Sequence, residues 1–180
     1  MLKRICLALL AVCLLASPAL AEGGFFKEAG VSAFYHTDMD IDHDDLNAVG
    51  IIGHLAAPFY KSGMTRVDFR LELWLGQFFG YESGTEVALV PALRVNFLAG
   101  SIWPYVEAGI GPSYNTLDIR ELGMGFNFLS FGGLGIRFPM GGKTAIELGY
   151  RIRHISNAGM DEHNHGVTSH TALLGLTWAF

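Results

Sequence analysis

The chain has 180 residues, 51% of them hydrophobic, with twelve Lys and Arg against seventeen Asp and Glu and a formal net charge of −5. This acidic balance lacks the basic surface that a phosphate backbone demands, so nucleic acid is excluded as a partner. No stretch after Ala21 supplies the roughly 20 consecutive apolar residues of a spanning helix. The apolar content therefore belongs either to a soluble β-protein or to a membrane barrel, whose strands cross in about 9 to 11 residues each.

Residues 1–21 read as a secretory signal peptide: a basic start at Lys3 and Arg4, an apolar run from Ile5 to about Leu15, and a small-residue end at Ala19-Leu20-Ala21. The mature domain is then expected over residues 22–180, with ten basic residues and a net charge of about −7. Cys6 and Cys13, the two cysteines of the chain, both fall in the segment removed. The exported protein is expected to use neither disulfides nor thiol chemistry. The apolar run continues past Cys13, which argues against lipidation there.

Period-2 alternation then organises the chain into eight segments, at about 25–36, 46–60, 65–76, 86–97, 102–111, 126–138, 143–156 and 168–180. The third is the clearest: Val67, Phe69, Leu71, Leu73 and Leu75 share one face, and Arg66, Asp68, Arg70 and Glu72 share the other. In the fourth, Val87, Leu89, Leu93, Val95 and Phe97 are expected to face lipid, with Arg94 and Asn96 inward. In the seventh, Ile146, Leu148, Tyr150 and Ile152 are expected outward, against Glu147, Arg151 and Arg153 inward. Pro91 and Pro104 each remove a ladder donor and are expected to sit at bulges. Tight turns at 61–64, 98–101 and 139–142 alternate with longer connections at 37–45, 77–85, 112–125 and 157–167. An even strand count with short turns on one side and long loops on the other predicts an all-β fold, an eight-stranded antiparallel up-and-down transmembrane β-barrel in the cell outer membrane, with turns periplasmic and loops external. Side chains fill an interior of this size, so transport is not expected. The terminal run Leu174, Leu176, Trp178, Phe180 resembles the assembly signal of outer-membrane barrels.

Near the external end of the seventh segment stand His154 and Ser156, two apart and hence on one face. An imidazole beside a hydroxyl is the pairing that activates a weak nucleophile, with His as general base. Their parity is that of the lipid-facing residues, and ionisable groups facing a membrane are expensive and usually functional. Neighbours at i and i+2 on a regular strand stand roughly 6.6 Å apart. A bend near Ile155 would bring them together. Backbone N–H groups of Asn157 and Gly159, at the strand-to-loop transition, are the candidate oxyanion donors; Asn164 and Gly166 are expected to shape the loop.

The run His154-x-Ser156-Asn157-Ala158-Gly159-x4-Asn164-x-Gly166, followed by the final strand, resembles the PagL family of outer-membrane lipid A 3-O-deacylases. The resemblance implies a serine esterase that removes the 3-O-linked acyl chain of lipid A, with Ser156 as nucleophile, His154 as base, lipopolysaccharide as substrate and no cofactor. Family members carry a Glu two residues after the Gly matching Gly166, where this chain has Thr168. The acid that orients His154 is therefore sought in the loop, at Glu162 or Asp161. The alternatives are a His–Ser dyad and a neutral hydrogen bond from Thr168.

The acidic stretch Asp38-x-Asp40-x-Asp42 with Asp44 and Asp45 lacks the Gly and distal Glu of a calcium loop and reads as a solvated loop. His163, His165 and His170 lack a clear third partner, so no metal is assigned. His54 is expected to be a hydrogen-bonded interior residue. Oligomeric state is open, a homodimer included. Two rival functions stand beside the esterase: a non-catalytic small barrel for adhesion or membrane integrity, and an acyltransferase on the same scaffold.

Overall fold

A strand with charges on one face and aliphatic residues on the other leaves its polar edge groups unpaired in hydrocarbon unless the sheet closes on itself. A computed structural model of the protein, which describes residues 24–38, 46–123, 125–160 and 164–180, shows that closure. The segment assigned as signal peptide lies outside the described residues. Eight strands follow in chain order: β1 (Glu28–Asp38), β2 (Leu46–Ser62), β3 (Thr65–Gly80), β4 (Gly84–Phe97), β5 (Trp103–Asn115), β6 (Phe126–Pro139), β7 (Thr144–Ser156) and β8 (Val167–Ala179). Each pairs antiparallel with its neighbours, and β1 pairs with β8 from Glu28↔Ala179 to Asp38↔Ser169, closing the barrel.

The lipid-facing parity holds throughout. Leu89, Leu93, Val106, Ile110, Leu134, Leu148, Ile152, Leu174 and Leu176 stand exposed on the outside, and Phe59, Tyr60 and Phe97 at the turn end face Tyr35, Tyr81 and Tyr114 at the loop end. An apolar band between two aromatic girdles is the surface of a membrane barrel. Inside, two storeys fill the lumen. Towards the turns, Arg94 bridges Glu107 (2.9 Å) and Glu147 (2.7 Å), Arg151 bridges Glu72 (2.8 Å) and Glu107 (2.7 Å), and Arg137 pairs with Glu28 (2.7 Å). Such buried charges persist because each has partners with good geometry. Towards the loops, Leu117, Ile119 and Leu122 of the β5–β6 connection pack onto Phe34, Leu46, Phe78, Leu129, Ile155 and Val167. Arg153, paired with Glu86 at 2.8 Å and within 3.1 Å of His36 Nδ1, lies among them.

Three sequence expectations need correction. The β3–β4 connection is three residues, Tyr81–Ser83, and not the longer 77–85 loop, because Gln77 and Phe78 continue the ladder opposite Thr85 and Gly84. The Gln77 amide donates to the Gly84 carbonyl at 2.9 Å, and Gly80 at φ 109° supplies the reversal. Pro91 and Pro104 cause no bulge: the β3–β4 register runs unbroken through Leu71↔Pro91 and the β5–β6 register through Pro104↔Ile136. The register shift lies instead in β2, between Pro58 and Tyr60. His54 does point into the lumen and is buried, yet among the described residues neither ring nitrogen has a hydrogen-bond partner. Its ring occupies the space over Gly30, where a Cβ would meet His54 Cε1 at 2.3 Å.

Candidate active site

Alternation along β7 turns Arg151, Arg153 and Ile155 inward and leaves Tyr150, Ile152, His154 and Ser156 on the outer wall at the loop end. His154 and Ser156 are half-buried there. The β7–β8 register sets His154 opposite Thr168, and His154 Nδ1 hydrogen-bonds Thr168 Oγ1 at 3.0 Å. Among the described residues no carboxylate bonds the imidazole. If the Thr168 hydroxyl accepts the Nδ1 proton, Nε2 carries the lone pair that a general base needs. Gly166, at φ 77°, closes over the other side of the ring: a Cβ there would fall 2.5 Å from His154 Cε1 and 2.6 Å from Nε2. The glycine is required twice, by its backbone conformation and by the imidazole against it.

On the β6 side, Ser130 stands opposite His154 and donates its hydroxyl to the His154 carbonyl at 3.4 Å. The β6–β7 pairing continues unbroken through Ile155↔Leu129 and Phe128↔Ser156, so no bulge displaces the strand near Ile155. The imidazole bonds Thr168 and not Ser156. Catalytic hydrogen bonds are often long without substrate and tighten in the complex.

Beyond Ser156 the chain reverses through Ala158 and Gly159, both at positive φ (57° and 79°), with the Met160 N–H donating to the Asn157 carbonyl at 3.3 Å. Ala158 is the one non-glycine residue with positive φ among the described residues. A conformation disfavoured for an L-residue, two residues after the candidate nucleophile, fits the clustering of backbone strain at functional sites. Asn157 is fully buried. Its N–H donates to Asn164 Oδ1 at 3.2 Å, and its Oδ1 accepts the Gly159 N–H at 3.1 Å. Both N–H groups considered as oxyanion donors are thus engaged inside the loop. Asn164 also donates to the Leu122 carbonyl at 2.6 Å and to Asn127 Oδ1 at 3.2 Å, and the Gly166 N–H reaches the Glu121 carbonyl at 3.0 Å. The β5–β6 connection therefore braces the loop that carries the site.

Glu162, Asp161 and His163 lie outside the described residues, as do most residues of the acidic 38–45 stretch. His165 is exposed, and His170 hydrogen-bonds Tyr150 across the outer wall. Among the described residues no group of three or more His, Cys, Asp or Glu side chains is placed to hold a metal. The roles of Ser130 and of the brace at Glu121 and Leu122 carried no local sequence signal, since each arises from register between distant segments; the motif marked Gly166 as a loop-shaping residue, but not its approach to the imidazole.

With this geometry in view, the profile of the lipid A 3-O-deacylase (PagL) family matches residues 51–177. The chain belongs to this family. The lipid A deacylase PagL of Pseudomonas aeruginosa is 31% identical over 107 residues, which span 54% of this chain and 60% of that relative, less than two-thirds of its length. Among solved structures, that of the outer membrane enzyme PagL superposes with a TM-score of 0.67 at 22% identity, covering 81% of this chain and 97% of the other. Neisserial surface protein A superposes with a TM-score of 0.57 at 13% identity, covering 85% and 96%. At these identities both establish the fold, an eight-stranded outer-membrane barrel. For a PagL-family chain the departure at Thr168 is the feature to explain.

Proposed function

We propose that the protein is an outer-membrane serine esterase that removes the 3-O-linked acyl chain of lipid A. The observation that carries this reading is the placement of His154 and Ser156 together on the lipid-facing wall at the loop end, with the imidazole held by Thr168 and Gly166. A lipid whose ester lies at the headgroup boundary meets these groups without leaving the leaflet. Ser156 Oγ attacks the ester carbonyl while His154 Nε2 takes its proton. The tetrahedral intermediate collapses, His154 returns the proton to the departing sugar hydroxyl, and the acyl chain remains on Ser156. Water from the interface, deprotonated by His154, then releases the fatty acid. An oxyanion site built from the Asn157 and Gly159 N–H groups requires substrate to exchange their present bonds to Asn164 and Asn157. Thr168 supplies a neutral anchor where the family has a carboxylate, with Glu162 and Asp161 as the loop acids that complete a charged triad.

Mass spectrometry of lipid A from cells with and without the protein tests this reading. Loss of one hydroxyacyl chain, abolished by Ser156→Ala and by His154→Ala, is the expected result. Gain of an acyl chain identifies an acyltransferase. No change favours a non-catalytic barrel, the reading that the neutral Thr168 and the missing His–Ser hydrogen bond support.

A further inference from the structure

The outer wall of β7 and β8 stays polar beyond the candidate site. Going down these strands from His154 and Thr168, the outward side chains are Ile152, Tyr150 and Leu148 on β7 and His170, Ala172 and Leu174 on β8. Tyr150 and His170 break an otherwise apolar row. The register sets His170 opposite Ile152 and Ala172 opposite Tyr150. The small Ala172 leaves the phenol room to lean across β8, where its hydroxyl hydrogen-bonds His170 Nδ1. The two ring centroids lie 5.7 Å apart with the planes tilted by 32°. On the far side of Ala172 stands Tyr35 of β1, which turns away and donates to Asn47 Oδ1 at 2.8 Å. Tyr150 is exposed and His170 half-exposed, and His170 Nε2 has no hydrogen-bond partner among the described residues. Ionisable groups on a lipid-facing surface are expensive, and such positions serve function.

The hydrogen-bonding character of the pair is fixed whichever way the proton lies. If the phenol donates to Nδ1, Nε2 carries a proton and the phenol oxygen keeps a lone pair; if Nδ1 carries the proton, Nε2 accepts and the phenol donates. In either tautomer the pair presents one donor and one acceptor to the membrane. Its complement is a group that both donates and accepts, as a secondary amide does. The ester region of a glycerophospholipid carries acceptors alone. In lipid A the sugar carbon next to the one bearing the 3-O ester carries an amide-linked chain. Ser156 and His170 stand four residues apart along the strands and one strand across, roughly 14 Å between backbones. One ester group does not fill that span. A sugar ring with ester and amide on adjacent carbons fills it, met by a serine hydroxyl from one end and an imidazole from the other.

We propose that Tyr150 and His170 form a second lipid subsite, which hydrogen-bonds the amide linkage beside the scissile ester and so selects lipid A over glycerophospholipids. The proposal rests on the lipid A esterase reading of Ser156 and His154. In hydrocarbon no water replaces a missing partner, so a substrate without the amide leaves the pair unmatched and is held less well.

Two synthetic lipids test the subsite: 2-N-acyl-3-O-acylglucosamine, and its 2,3-di-O-acyl analogue in which oxygen replaces the amide N–H. Chains of different length at the two positions identify the fatty acid released. In detergent micelles the unaltered protein is expected to release the 3-O chain of the amide lipid with a kcat/KM at least about tenfold higher than that of the analogue. His170→Phe is expected to bring that ratio near one, and Tyr150→Phe to lower it. Phe suits a wall that faces hydrocarbon, and the ratio does not move with a general loss of activity. A ratio near one in the unaltered protein, or unchanged in His170→Phe, overturns the proposal. A second measurement does not depend on turnover. Ser156→Ala carrying isotope-labelled histidine is titrated with each lipid, and the ring-nitrogen resonances of His170 are followed by NMR. A shift with the amide lipid and little with the analogue supports the subsite; equal shifts, or none with the amide lipid, overturn it. Absence of hydrolysis of both lipids by the unaltered protein sinks the esterase reading alone, since the resonance shifts still decide the subsite.

Discussion

Thr168 offers the sharpest test of how His154 is held. Its hydroxyl lies 3.0 Å from His154 Nδ1 and is the imidazole's hydrogen-bond partner among the described residues. Thr168→Val keeps the shape and deletes that bond. A neutral hydrogen bond contributes roughly 0.5–1.5 kcal/mol, and 1.36 kcal/mol is tenfold in rate, so kcat should fall about two- to tenfold. Thr168→Glu places a carboxylate on the same rung. Bonds to a charged partner are worth roughly 1.5–3 kcal/mol, and the difference of about 1–1.5 kcal/mol should raise kcat about five- to tenfold as the imidazolium forms. Steady-state hydrolysis of p-nitrophenyl butyrate by the purified barrel in micelles measures both. KM should stay nearly constant, because neither change touches bound substrate. Unaltered turnover in Thr168→Val, or a drop in Thr168→Glu with the barrel still folded, refutes the assignment of Thr168 as the group that orients the base and transfers that role to the loop acids.

Three further outcomes follow from the geometry. Gly166→Ala drives a Cβ to 2.5 Å from His154 Cε1 at a left-handed backbone position; hydrolysis should drop at least about tenfold while heat-dependent gel mobility shows the barrel intact. Arg151→Met removes the partner that Glu72 and Glu107 share and should lower unfolding free energy by about 3–5 kcal/mol, read from the urea midpoint of the protein in vesicles; an unshifted midpoint contradicts a structural role for the lumen network. Ala158→Gly relieves a positive φ of 57° and should raise stability by roughly 0.5–1 kcal/mol in the same assay; an unshifted or lowered midpoint contradicts strain at this position.

The architecture was legible because a membrane barrel enforces one rule on every residue. Arg66 to Leu73 alternate without exception and Ile146 to Arg153 do so but for Gly149, and the strands lie within a few residues of the segments read from that alternation. What escaped depended on pairing between segments far apart in sequence. That Pro91 falls where the β4–β5 ladder is interrupted, between Ala88↔Ser113 and Ala92↔Gly109, and makes no bulge depends on which stretch of β5 lies alongside, and only the register reveals it. The three-residue β3–β4 turn was concealed because Gln77 and Phe78 alternate no differently from loop residues; their ladder to Gly84 and Thr85 is a matter of register. Around the candidate site, the outward parity of His154 and Ser156 could be read directly, whereas the approach of Gly166 to the imidazole and the brace from Leu122 and Glu121 needed the folded chain.

The seam between β1 and β8 has a consequence for assembly. It joins the first strand of the chain to the last, so every partial set of strands carries two raw margins of unpaired amides and carbonyls. Hydrocarbon offers such margins no partner. A half-inserted sheet therefore has no resting place in the bilayer, and the wall must enter as one cooperative unit after β8 has been made, with the longest-range contact of the fold formed last.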